Sequence, residues 1–148
     1  MNSPSVWTCD KCSNDVTLNG LGLVAARHDS ADPNRLLQDW KIVHKNTCDP
    51  GASAGYVTSL DVERLVGPAG QAQLLSLLSA GPLMNSGPSN RIGDFDAFVD
   101  VFRRLHTPFY EEARRQFDEP DVQGRFSDAN QYHPYIPEVL ETIVKDRD

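Results

Sequence analysis

Apolar residues change their spacing partway along this chain, and the change sorts the elements it predicts. Two short apolar runs, residues 21–25 and 40–44, are strand-like, and Asn19-Gly20, Gly22 and the polar run 28–34 supply turn and loop chemistry around them. Beyond residue 58 the spacing becomes helical. A first helix is predicted over 59–66, with Thr58 or Ser59 as N-cap and Gly67 as the stop. Pro68 opens a second helix through Gln71 to Ser79, which Gly81-Pro82 closes, and 82–91 reads as a loop. The third runs over about 94–106, where Phe95, Phe98, Val99, Phe102 and Leu105 form a stripe that belongs in a core. Thr107 can cap a fourth, because proline disfavours helical geometry before itself and suits the first helical position. That helix ends near Phe117, and its acidic Glu111 and Glu112 lie early while Arg114 and Arg115 lie late, as the helix dipole favours. Glu111 and Arg115 are also spaced for an i,i+4 pair. Residues 118–124 read as a loop and 125–134 as irregular. A last helix starts at Pro137, carries Val139, Leu140, Ile143 and Val144 on one face, and frays over 145–148.

Between the two patterns, Pro50-Gly-Ala-Ser-Ala-Gly55 reads as a hinge, and every cysteine lies before it. Cys9 and Cys12 have two residues between them, and with His44 and Cys48 they make the pattern C-x2-C-x31-H-x3-C. Zinc wants a tetrahedron of thiolates and imidazoles, and a two-residue gap lets one tight turn bring two thiolates onto one ion. His44 and Cys48 are close enough for a tight loop or one helical turn to aim both inward, and the intervening chain is long enough for a β-hairpin. The arrangement resembles the treble-clef and zinc-ribbon class of modules, in which a knuckle, a hairpin and a second ligand pair enclose one zinc ion. His28 is an alternative fourth ligand without matching spacing. A module of this size has little core of its own, which a metal can make good. Four protein ligands fill the coordination sphere, so the expected zinc is structural.

The competing chemistry is thinner. A redox CxxC wants a helix after it, and Ser13-Asn-Asp is turn-like instead. An odd cysteine count disfavours a structural disulfide. The expected fold class is therefore α+β: a zinc-stapled β-hairpin module over 1–50, a hinge over 51–57 and an all-helical domain over 58–148.

Charge narrows the partners. Fourteen basic against 21 acidic residues give a net charge of −7, the opposite of the basic surface that phosphate neutralisation needs. No apolar run approaches the ~20 residues of a membrane span. The N-terminus lacks the basic and apolar regions of a signal peptide, so the expected location is cytoplasmic. No P-loop, dinucleotide fingerprint, HExxH or nucleophile elbow occurs, which removes the usual grounds for an enzyme. The first two helices form a poor DNA reader, because the second carries no Lys or Arg.

Two further groups are candidate binding surfaces. Arg103 and Arg104, with His106, Arg114, Arg115 and Tyr110, converge into an anion-binding patch if the third and fourth helices fold back on each other. Otherwise they form a solvated face neutralised by Asp96, Asp100, Glu111 and Glu112. Tyr132, His133 and Tyr135 lie in an aromatic, polar loop of the kind favoured at interfaces, or tie that loop to the core. The expected role is a non-enzymatic adaptor or regulator that binds another protein. A nucleic-acid-associated regulator comes second, and an enzyme with an anion-binding cleft near Arg103 and Arg104 third.

Overall fold

A computed structural model describes residues 3–29, 31–84 and 92–146. The expected loop over 82–91 and the frayed terminus therefore fall partly outside the described residues. The fold mixes small antiparallel sheets with six α-helices among the described residues. Strands β1 (Val6–Thr8) and β2 (Asp15–Thr17) pair as a hairpin around the first two cysteines, with Trp7 opposite Val16. Strands β3 (Gly22–Arg27) and β4 (Gln38–His44) pair antiparallel where the apolar runs predict strands. The run from Leu23 to Ala26 is buried throughout, as suits a central strand covered on both faces.

β3 is central because a further strand, β5 (Thr58–Asp61), pairs along its other edge, with Leu60 opposite Val24. Residues 58–61 were expected to begin a helix. Pairing with β3 overrides their weak local preference, and only α1 (Val62–Leu65) remains helical. The connecting segment is a short 3-10 turn, Ala52–Ala54, fastened to the sheet: the His28 amide donates to the Gly55 carbonyl, and the Tyr56 hydroxyl to the Asp39 carbonyl.

Helix α2 (Gly67–Ser76) follows α1 almost at once. A Cβ at Gly70 would stand 2.0 Å from the Leu65 carbonyl carbon, so this corner closes only over glycine. Helix α3 (Phe95–His106) starts at Asp94, whose carboxylate accepts from the Ala97 amide at 3.1 Å. Its apolar stripe packs on the sheet through Phe98 and Leu105, with Trp40 and Phe98 edge to face at 5.4 Å, whereas Phe95, expected in the core, is 61% exposed in the first turn. α4 (Tyr110–Arg114) is shorter than expected and is entered through Phe109 at φ 68° rather than through a Thr107 side-chain cap. The expected loop over 118–124 and the start of the irregular stretch instead contain α5 (Pro120–Arg125), with proline in its first turn and Val122 buried. The last helix among the described residues is α6 (Pro137–Lys145).

Two apolar clusters result. The larger runs from Trp7 to Leu105 and joins both strand pairs, α1, α2 and α3 across the 51–57 segment. The smaller gathers Tyr110, Ala113, Val122, Leu140 and Ile143 from α4, α5 and α6. No described helix is long and apolar enough to cross a membrane.

Candidate metal centre

The β1–β2 turn is built around Cys9. The Cys9 amide donates to the Asn14 carbonyl, and the Ser13 amide returns to the Cys9 carbonyl with Ser13 left-handed at φ 66°. The Lys11 amide points at the Cys9 sulfur at 3.4 Å. On the facing side, β4 ends at His44, and a tight turn through left-handed Asn46 brings Cys48 back, its amide bonded to the His44 carbonyl.

These two turns gather Cys9, Cys12, His44 and Cys48, whose ligand atoms all lie within 4.8 Å of one another. The His44 Nδ1 stands 3.4 Å from the Cys12 sulfur and 3.7 Å from the Cys48 sulfur. A tetrahedral zinc ion with bonds of about 2.3 Å to sulfur and about 2.0 Å to nitrogen sets its ligands roughly 3.5–3.8 Å apart, so these distances fit one ion. The other ring nitrogen of His44, Nε2, lies 2.8 Å from the Asp15 carbonyl. A carbonyl can only accept, so Nε2 carries the proton and Nδ1 keeps its lone pair for a metal. The residues present could hold a metal ion. His28 lies outside the group.

Electrostatics favour the ligand forms unequally. Burial raises the Cys9 thiol, but amide donors from Cys12 and Lys11 outweigh it and bring the pKa down to about 6. The shift favours the thiolate, the form that binds metal. The Asp15 carbonyl raises the His44 pKa against a smaller opposing effect of burial. Cys9 and Cys48 are buried, whereas Cys12 faces solvent.

Behind the knuckle lies an ion-pair network built on Arg104 and Glu111, which the sequence alone assigns to an anion-binding patch or a solvated face. Arg104 is 1% exposed and lies between β1 and α4. Its Nε and one Nη donate to the two oxygens of Glu111 at 2.7 and 2.9 Å. The other Nη donates to Asp10 at 2.8 Å, and the Nη that meets Glu111 also donates to the Thr8 carbonyl at 2.9 Å. Asp10, set between Cys9 and Cys12, also accepts from the Ile42 amide at 2.8 Å, and Glu111 accepts from the Thr8 amide at 2.9 Å. The Trp7 indole donates to the Arg104 carbonyl at 2.8 Å. Burial opposes the charge on Arg104, but Glu111 and Asp10 outweigh it and hold the guanidinium protonated. Glu111 thus pairs with Arg104 rather than with Arg115, which reaches the Thr8 hydroxyl. One signal was present in the sequence: Arg104 falls three residues after Val101, in phase with a stripe that is otherwise apolar.

Of the other candidate surface residues, Arg103, Tyr110 and Tyr135 come together in one cluster, whereas Tyr132 and His133 do not join it. Tyr110 is buried and donates to Asp100 at 2.6 Å, and burial together with that carboxylate raises its pKa. Arg103 stacks on the Tyr135 ring at 3.9 Å, and Tyr135 packs against Tyr110 and Phe117. The His133 ring lies near Phe126, while Tyr132 is 67% exposed. Arg104 and Tyr110 are therefore buried, with their polar groups engaged by neighbouring residues.

No family model, curated protein or solved structure matches this chain.

Proposed function

We propose that this protein holds one structural zinc ion through Cys9, Cys12, His44 and Cys48, and acts in the cytoplasm as a non-enzymatic adaptor or regulator that binds another protein. The observation that carries the reading is the convergence of the four ligand atoms within 4.8 Å. Three soft thiolates and one imidazole are the donor set zinc prefers in closed structural sites. A full ligand set leaves no position for substrate, so the ion serves to hold the knuckle against β4. The fold around it is a hairpin module stapled to β4, with the helices packed beyond.

A binding role is supported by apolar side chains left in solvent at and beyond the end of α2: Leu75, Leu78, Leu83 and Met84, the last two 94% and 63% exposed. The acidic charge of −7 supports a protein partner over a phosphate backbone.

Metal content measured by mass spectrometry on the parent, Cys12→Ser and Cys48→Ser tests the zinc. Zinc bound to the parent and lost in both variants is expected. Fluorescence anisotropy with duplex DNA and RNA at low salt tests the role. No binding is expected, and affinity that falls steeply with salt would instead favour a nucleic-acid regulator.

A further inference from the structure

Arg104 and Glu111 hold the chain on both sides of Cys9. Before it, the Thr8 amide bonds Glu111 and the Thr8 carbonyl bonds Arg104; after it, the Asp10 carboxylate bonds Arg104. The ion-pair partners that meet there come from α3 and α4, nearly a hundred residues along the chain. Arg104 and Glu111 are almost wholly buried, at 1% and 2% exposure, so neither can turn to water if the knuckle moves away. A surface pair could let go at little cost, but a buried one loses contacts that nothing replaces.

We propose that Arg104 is a positioning residue for the metal centre, and that through the same contacts metal loading orders α3 and α4. This rests on the zinc reading above. Metal fixes Cys9 and Cys12, and with them the Asp10 carboxylate that lies between; Asp10 in turn sets the guanidinium against Glu111. Coupling between two sites is reciprocal in free energy, so whatever Arg104 adds to metal affinity, the metal returns to the packing of the two helices. Outer-sphere partners restrict where a metal ligand can sit, and Arg104 does so through the residues flanking Cys9 rather than by bonding a ligand.

The test is a mutant cycle on the full chain, with Zn2+ affinity measured by competition against a chromophoric chelator. Its arms are Asp10→Asn, the apolar pair Arg104→Met with Glu111→Leu, and the three substitutions together. The apolar pair avoids leaving one buried charge alone, and a circular dichroism melt of each variant checks that it folds. Asp10→Asn and the apolar pair are each expected to weaken zinc binding about ten- to a hundredfold, and their combination to be no weaker than the worse of the two. Losses that multiply, or no loss in either arm, would overturn the positioning role. Hydrogen exchange supplies the second readout. Stripping zinc from the parent is expected to speed exchange over residues 95–114, and this zinc-dependent difference is expected to vanish in Asp10→Asn. Unchanged exchange in the stripped parent would overturn the ordering of α3 and α4. A parent that takes up no zinc overturns the metal reading itself, a result distinct from a zinc-binding parent whose losses multiply.

Discussion

At the residue scale, the strongest local demand in this molecule is made by a charge without access to water. Arg104 satisfies it with a bidentate carboxylate, a second carboxylate and a carbonyl. Removing one partner is therefore costly. Glu111→Gln is expected to lower unfolding stability by about 3–5 kcal/mol in a urea titration, because it leaves a buried guanidinium short of its counter-charge. The apolar replacement of both residues should cost far less. His106 makes a second residue-level prediction. Burial lowers its pKa against a smaller opposing effect of the Leu65 carbonyl, so the folded chain binds this proton less readily than the unfolded one. Stability then rises with pH across the window from its lowered pKa up to the unfolded value near 6.5. Unfolding free energies at pH 5.5 and 7.5 should differ less in His106→Gln than in the parent; an equal difference would show that His106 does not contribute.

At the scale of elements, tight contacts and long-range pairing decide what local pattern leaves open. Gly70→Ala is expected to destabilise the chain by about 1–3 kcal/mol, because the new methyl collides with backbone at Leu65 rather than with a side chain that can turn aside. Thermal unfolding of the variant beside the parent measures it. The same physics explains which elements the sequence made legible. Helix α3 could be read because Phe98, Phe102 and Leu105 repeat at helical spacing, and β3 and β4 because their apolar runs are bounded by turn residues. β5 could not, since Thr58-Ser-Leu-Asp serves equally as a helix start and only pairing with β3 decides. α5 was hidden because Val122 is the only large apolar residue in a stretch of turn formers. β1 and β2, at three residues each, are too short to show alternation. The grouping of the four ligands was legible from spacing, whereas their supports were not. Asp15 contributes a carbonyl, which every residue has, and Asp10 and Arg104 meet across 94 positions of sequence.

At the scale of the whole molecule, the knuckle is joined to the rest of the fold by polar contacts and by the core. Its ligands meet those of β4 and the following turn, and its Asp10 and Thr8 meet the buried pair from α3 and α4. The larger apolar cluster includes Trp7, Cys9 and Cys48, so the ligand turns are part of the main core rather than an appendage. Loss of metal is therefore expected to lower the stability of the sheet and α3 together with the hairpin, and not to melt the N-terminal residues alone.

The most direct measurement is zinc content per chain in protein purified without added metal, taken with the circular dichroism melt of the same sample before and after chelation. About one zinc ion per chain is predicted, absent from Cys12→Ser and Cys48→Ser, with a melt that falls when the parent is stripped. A parent without bound metal, and with a melt indifferent to both chelator and cysteine substitution, would contradict the account at its centre.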